Sequence, residues 1–63
     1  MTKKDEIKDV IEMGEIAVVI YDAFKIGTVD SFEQLTSSSV FCINEDGGED
    51  EVNYTRIDAV EMV

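Results

Sequence analysis

The sequence predicts an α+β fold, a short N-terminal helix followed by a five-stranded antiparallel small barrel. Apolar residues at helical spacing open the chain, and short β-branched or aromatic segments then follow one another with glycine- and serine-containing connections. The chain contains no proline to interrupt these segments. Because the connections are short, strands that are neighbours in sequence should pair with each other. Closure into a barrel would then leave no edge strand with unpaired backbone groups exposed.

A chain of 63 residues has room for one domain only. We expect a single domain over residues 1–63, with the helix at about residues 3–13 and the barrel at about 15–63. With 44% apolar residues, the composition allows a small core.

The N-terminal helix is indicated by Ile7, Val10 and Ile11, which form one apolar stripe. Thr2 can be the N-cap residue of a capping box with Asp5, three residues later, and Gly14 is suited to end the helix. So short a helix is marginally stable alone, so we expect it to pack on the sheet.

The first two strands are predicted from "EIAVVIYD" at 15–22 and from the apolar residues Phe24, Ile26 and Val29. The first strand is apolar on both faces, which is typical of a central strand covered on two sides. Gly27 interrupts the second strand, where a glycine permits a bulge or a sharp bend.

The remaining strands are predicted at 40–44, 51–54 and 59–63, with a turn around 31–39 and a single helical turn at "TRID". Gly47 and Gly48 can supply the positive φ angles of a two-residue reversal between the third and fourth strands. The predicted core consists of Val18, Ile20, Phe24, Ile26, Val40, Cys42, Val52 and Ile57.

Fifteen acidic and five basic residues give a net charge of −10, beyond the magnitude of ~2–8 that solubility requires. This charge disfavours direct binding to nucleic acid or to anionic lipid, both of which need clustered Lys and Arg. The longest apolar run, at 16–21, is too short to span a bilayer, and the start lacks the apolar core of a signal peptide. A single cysteine, Cys42, fits a reducing compartment, so we expect a cytoplasmic protein.

Catalytic and metal-binding patterns are missing from the sequence. There is no histidine, and Cys42 has no neighbouring base in sequence to activate it, so we expect neither an enzyme nor a zinc site. Asn44, Asp46 and the acids at 49–51 offer oxygens, but their spacing does not match a twelve-residue calcium loop. We expect no metal and no cofactor.

The segments "AVVIYDAFKIGTVDSFEQ", "SVFCINEDGG" and "RIDAVEMV" resemble the Sm-like version of the SH3-like small barrel. The resemblance implies an N-terminal helix, a bent second strand with a glycine, and a last strand entered through a short turn. The chain has Asp22-Ala23 where that family has Asp-Gly, and it lacks the basic and aromatic residues with which the family holds RNA. The resemblance therefore implies the fold and not RNA binding.

In size and charge the chain is similar to the acidic bacteriophage inhibitors that mimic DNA. This resemblance implies host takeover in the bacterial cytoplasm, by occupying the DNA-binding surface of a basic host protein such as a nucleoid protein, a polymerase or a defence nuclease. The acids of the segment "NEDGGEDE" and three further acids are the candidate partner-binding residues. They are Glu45, Asp46, Glu49, Asp50, Glu51, Asp30, Glu33 and Asp58.

Two other interpretations remain open. The acids can serve solubility alone, while a free strand edge or the side chains of Phe32, Phe41 and Tyr54 make apolar contacts in an interaction or structural module. In addition, one helix cannot cover both faces of two apolar strands, so we expect a homodimer in which a second copy covers one face.

Overall fold

The computed structural model describes residues 2–63 and has one α-helix and five strands. The predicted α+β fold is confirmed. Two single 3₁₀ turns lie in the connections. The elements are α1 Lys3–Glu12, β1 Ala17–Tyr21, β2 Lys25–Val29, a 3₁₀ turn at Phe32–Gln34, β3 Ser39–Asn44, β4 Glu49–Asn53, a 3₁₀ turn at Tyr54–Arg56 and β5 Ile57–Met62.

The helix has the capping that its sequence predicts. The Thr2 hydroxyl accepts a hydrogen bond from the backbone N–H of Asp5 at 3.2 Å, and the Asp5 carboxylate accepts one from the backbone N–H of Thr2. Beyond the last helical turn, Gly14 adopts a φ of 81°, which ends the helix. Ile7 is fully buried, and Val10 and Ile11 pack beside it against the sheet.

The five strands form one antiparallel sheet in the order β4-β3-β2-β1-β5. The sequence predicted β1 as the central strand, but the middle strand is β2. No hydrogen bonds join β4 to β5 within residues 2–63, so the predicted barrel is an open one. Three residues connect these two edge strands, and four Cα–Cα steps reach at most about 14 Å. A flat five-stranded sheet would separate them by about 19 Å, so the sheet must curl.

Only one face of this curled sheet is covered, which we call the inner face. It contains nearly all of the core: α1 packs on its β1 and β5 side, and the curl of the sheet covers the inner residues of β3 and β4. Its buried residues on the strands are Ala17, Val19, Tyr21, Val29, Val40, Cys42, Val52 and Ile57.

Four predicted core residues, Val40, Cys42, Val52 and Ile57, are therefore confirmed. The other four predictions are wrong, because strand residues alternate between faces and α1 covers only one of them. Those four residues are Val18 and Ile20, which are half-buried on the opposite, outer face, and Phe24 and Ile26, which are exposed.

Gly27 lies within β2 without a bulge, since its pairing with Val19 continues the register of the β1–β2 ladder. Of the bulge or sharp bend that the sequence allows at this glycine, the bulge is absent. A Cβ atom on Gly27 would lie 2.5 Å from the Sγ of Cys42 and 3.3 Å from the ring of Tyr21. The glycine is needed because these two side chains close over it in the core.

Candidate binding surface

Three connections meet at one end of the sheet, which we call the turn end. Strand β1 ends here at Tyr21. Tyr21 pairs with Lys25 at the start of β2 and with Ile57 at the start of β5. Asn44, the last residue of β3, pairs with Gly27 near the same end. The β1–β2 turn (22–24), the β3–β4 turn (45–47) and the start of β5 are therefore neighbours.

The acidic β3–β4 turn has a three-residue loop in place of the predicted two-residue reversal at Gly47-Gly48. The backbone N–H of Gly47 donates to the carbonyl of Asn44 at 3.0 Å, and that of Asn44 donates to the carbonyl of Gly48 at 2.8 Å. Of the two glycines, only Gly47 has a positive φ, 87°. The Asn44 side-chain oxygen accepts from the N–H groups of Asp46 and Gly48, which leaves the carboxylates of Glu45 and Asp46 exposed at the tip.

Asp50 differs from the other tip acids because its carboxylate is held by the protein itself. Its Oδ2 accepts hydrogen bonds from the Tyr21 hydroxyl at 2.8 Å and from the Asn44 amide at 3.2 Å. These two bonds, that from Tyr21 first, lower the pKa of Asp50, while burial and then the bond to Asp50 raise the pKa of Tyr21. Asp50 thus shares the inner face with Tyr21.

A cleft of about 220 Å³ lies at the turn end, between the start of β2 and the β3–β4 turn. Pockets for drug-sized ligands are usually ~300–1,000 Å³, so this cleft suits at most a single side chain or a small group. Its lining is mostly polar and combines one cation with three acids. The lining residues are Tyr21, Lys25, Ile26, Asn44, Glu45, Asp46 and Asp50.

The outer face has apolar residues in its middle and acids at both edges. Cross-strand partners share a face, and one row of partners crosses all five strands. It runs Glu61, Val18, Thr28, Ile43, Glu49 from β5 to β4. In the next row Ala59, Ile20 and Ile26 are neighbours.

The outer edges carry no compensating cations. Within residues 2–63 neither Glu49 nor Glu61 forms an ion pair, and both are exposed. Glu51 lies on the same face as Glu49 and accepts a hydrogen bond from the Ser39 hydroxyl at 2.8 Å. The only Lys or Arg in any strand is Lys25, which pairs with Tyr21 and so belongs to the inner face. The outer face is a purely anionic surface with an apolar centre.

The structure does not bring all eight predicted site residues together. Glu49 and Glu51 lie on the outer edge, Glu45 and Asp46 at the turn end, and Asp58 in the bulge of β5 opposite Ile20–Tyr21. By contrast, Asp30 and Glu33 follow β2 at the opposite end of the sheet. Asp30 is five residues beyond Lys25, a distance of about 16 Å along a strand.

The negative charge is concentrated in the sheet. Residues 1–14 contain four acidic and three basic residues, a net charge of −1, whereas residues 15–63 contain eleven acidic and two basic residues, a net charge of −9. One of these two cations, Arg56, is occupied by a bidentate ion pair with Asp22 at the turn end. This pair lowers the pKa of Asp22.

Sequence reasoning missed the outer apolar residues Ile20, Ile26 and Ile43, the edge acid Glu61, and the exposed Phe24 as parts of a surface. Two signals were available. Strands apolar on both faces, with a single helix to cover them, imply one uncovered face, but this signal was used only to predict a homodimer and not to assign residues to that face. The Asp22-Ala23 turn, without the usual glycine, indicates an unusual backbone there.

Side chains that could support other chemistry are sparse in the part of the chain that the structure describes. Residues 2–63 contain no group of three or more acids or cysteines arranged to hold a metal ion. Cys42 is fully buried, and this burial raises the pKa of its thiol. None of the helical segments between residues 2 and 63 has the length and apolar character needed to cross a bilayer.

Comparison with protein-family models, with curated protein sequences and with solved structures finds no match to this chain. The resemblances to the Sm-like barrel and to acidic phage inhibitors therefore stay predictions.

Proposed function

We propose that this chain is a non-catalytic DNA mimic, which binds a basic nucleic-acid-binding protein and inhibits it by occupying its DNA-binding surface. The observation that carries the proposal is the outer face, where unpaired carboxylates line both edges of the sheet without an intervening cation. Partners of this chemistry include a nucleoid protein, a polymerase or a defence nuclease, and the chain would act with them in a bacterial cytoplasm.

The spacing of the edge acids supports this reading. Glu49 and Glu51 lie two residues apart on one strand, about 6.6 Å, which is close to the ~6.8 Å that two successive charges of one DNA strand advance along the helix axis. Glu61 lies on the other edge of the same row, beyond an uncharged strip. Two acids on one edge and one on the other, separated by such a strip, place negative charge on both sides of an uncharged surface, as the two phosphate backbones do on both sides of a groove.

The paired sheet also favours mimicry because it fixes the backbone positions from which the carboxylates project. Each edge strand is hydrogen-bonded along its length to its neighbour, so little backbone entropy is lost when cations approach. The net charge of −9 on the sheet segment would accelerate encounter with a basic protein, and the rate would fall with salt.

A second candidate is a protein-interaction module whose acids serve solubility. The exposed Ile26 and Ile43 and the half-buried Ile20 on the outer face favour it, because apolar contacts can dominate there. The same residues motivate the homodimer. Two copies that met through this face would bring their acidic edges together, so such a dimer should strengthen as salt screens the repulsion.

A competition assay tests the proposal. A purified bacterial nucleoid protein is bound to a labelled duplex, and the chain is titrated in at low and at ~1 M salt, where the Debye length is about 3 Å. We expect displacement of the duplex at low salt and, in a parallel titration without DNA, loss of the chain's own binding to the nucleoid protein at ~1 M salt. A preceding pull-down from bacterial lysate, eluted with salt, identifies further nucleic-acid-binding proteins to test in the same assay.

Two variants of equal charge locate the surface. The triple variant E49Q/E51Q/E61Q neutralises the outer edges, and D9N/E12Q/E15Q removes three exposed acids outside the sheet. Mimicry by the outer face predicts that only the first variant loses competition, by about tenfold or more. Equal competition by both variants, or binding that survives high salt, would favour the interaction module.

A further inference from the structure

The β1–β2 turn holds its residues in a backbone conformation that their side chains disfavour. Asp22, Ala23 and Phe24 have φ angles of 45°, 55° and 83°, and none of them is a glycine. Left-handed backbone is disfavoured for residues with a Cβ, particularly for a bulky residue such as Phe, and it persists only where the surroundings enforce it. A sequence selected for stability alone would have glycine in this turn.

The surroundings that enforce this turn include the ion pair of Asp22. The Arg56 guanidinium donates from Nε to Oδ1 at 3.0 Å and from its terminal Nη2 to Oδ2, so it grips both carboxylate oxygens. Arg56 belongs to the 3₁₀ turn that leads into β5. The base of the turn is thus fixed to a second element, and its geometry is set before any partner binds.

This fixed turn presents a large apolar side chain to water. Phe24 is 88% exposed, the highest value among the large apolar residues within residues 2–63. The ring therefore contributes little to the core and leaves apolar area in contact with solvent. Strain and exposure at the same residue both act against the folded state, and strained backbone of this kind clusters at ligand-binding and active sites.

The neighbours of Phe24 define the chemistry of what it can contact. Glu45 and Asp46 are exposed in the neighbouring β3–β4 turn and line the cleft together with Asp50 and with Lys25, the single cation there. An apolar ring at an end of the sheet where acids outnumber free cations is complementary to an apolar pocket with a cationic rim. Buried aromatic anchors surrounded by charged rims are the usual arrangement of protein–protein interfaces.

We propose that Phe24 is the apolar anchor of the partner-binding surface, and that its ring enters a pocket, rimmed by Lys or Arg, on the basic protein that the acidic face recognises. This inference rests on the proposed function and adds the residue that supplies contact beyond charge. A second copy of the chain is a poor occupant, because each copy carries a charge of −10 and the same acids surround the ring.

The test uses two glycine substitutions in the same turn. Ala23→Gly and Phe24→Gly each place glycine at a positive φ, so both should raise the melting temperature. Only Phe24→Gly removes the ring. Phe32→Ala, which removes a 47% exposed ring at the opposite end of the sheet, controls for the loss of any exposed aromatic.

The full chain and its variants are immobilised and exposed to one bacterial lysate, and the retained nucleic-acid-binding proteins are quantified by mass spectrometry. We expect Ala23→Gly and Phe32→Ala to retain them as the parent does, and Phe24→Gly to lose about 30-fold in apparent affinity, as for an interface hot spot. Sedimentation of each variant is measured in parallel.

The outcomes separate this inference from the proposed function. Equal retention by Phe24→Gly and the parent overturns the anchor while the acidic surface stands. Retention of no nucleic-acid-binding protein by the parent overturns both. A lower melting temperature for Phe24→Gly would assign the ring a structural role, and a dimer that this substitution dissociates would assign it to self-association; either result overturns the anchor.

Discussion

The two faces of the sheet are built from similar β-branched residues, yet they differ in what covers them. On β1, Val19 is fully buried under the helix, whereas its neighbour Val18 remains half-exposed on the outer face. Inner polar groups have partners, as in the bond from Tyr21 to Asp50, while Glu49 and Glu61 on the outer edges have no ion pair within residues 2–63. The inner face thus determines stability, and the outer face is available for binding.

The sharpest test of this difference places the same side chain on each face at adjacent positions. Gly27→Val introduces atoms where a Cβ already lies 2.5 Å from the Sγ of Cys42, so we expect a loss of about 3 kcal/mol or more in the free energy of unfolding. Thr28→Val, on the outer face, should change it by less than about 0.5 kcal/mol. Urea unfolding followed by circular dichroism measures both. Similar stabilities for the two variants would contradict the assignment of faces.

The Tyr21–Asp50 bond predicts a smaller effect with a characteristic pH dependence. Tyr21→Phe removes a hydrogen bond from a buried hydroxyl and should cost about 1–2 kcal/mol at pH 7. Because the folded state lowers the pKa of Asp50, this carboxylate stabilises the fold above its unfolded pKa of about 3.9, and the contribution is lost as pH falls through the lowered pKa. The variant should therefore lose less stability than the parent on acidification below about pH 4.

Tyr54→Phe is the matched control for this prediction, because the Tyr54 hydroxyl donates to the backbone carbonyl of Thr36 and not to a carboxylate. It should lower the free energy of unfolding at pH 7, but on acidification it should lose as much further stability as the parent does. Unfolding curves at a series of pH values between 7 and 2 make the comparison. If the two variants have the same pH dependence of stability, the Tyr21 hydroxyl does not stabilise the ionised carboxylate of Asp50, and this prediction is wrong.

The smallest effect concerns the unpaired acids of the outer face. Raising the salt concentration from 0.01 M to 1 M shortens the Debye length from about 30 to about 3 Å, so self-repulsion should weaken and the melting temperature should rise by roughly 2–4 °C. The E49Q/E51Q/E61Q variant should begin with a slightly higher melting temperature and gain less from salt. Differential scanning calorimetry detects both shifts, and an identical salt response of parent and variant would show that these acids do not repel one another appreciably.

Local structure was predictable where a few neighbouring residues determine it. The capping of α1 by Thr2 and Asp5 and its end before Gly14 depend on bonds between residues close in sequence. The strands lie within about two residues of their predicted bounds, since alternation and turn residues mark them. The acidic turn was placed correctly, but its loop type was not, because the Asn44 side chain binds two N–H groups and selects a three-residue loop.

The candidate surface was predictable only in part. Glu45, Asp46, Glu49 and Glu51 were identified as exposed acids near the third and fourth strands, and they are exposed. Asp50 points to the inner face because of the register of β4, and it accepts a hydrogen bond from Tyr21, a residue 29 positions away in sequence. Neither property can be read from the neighbouring residues. That Glu61 completes a row with Glu49 depends on the register of four strand pairs, which composition does not specify.

The α+β class, the order of the elements, the charge of −10 and the concentration of that charge after residue 14 could all be read from the sequence. These properties follow from composition and from periodicity within short segments. Which face of the sheet forms the core depends on long-range packing, because both faces are apolar and the face is selected by the docking of α1 and the curl of the sheet. The same long-range contacts decided which acids share a surface and fixed Phe24 in water, since Arg56 reaches the β1–β2 turn from 34 residues away.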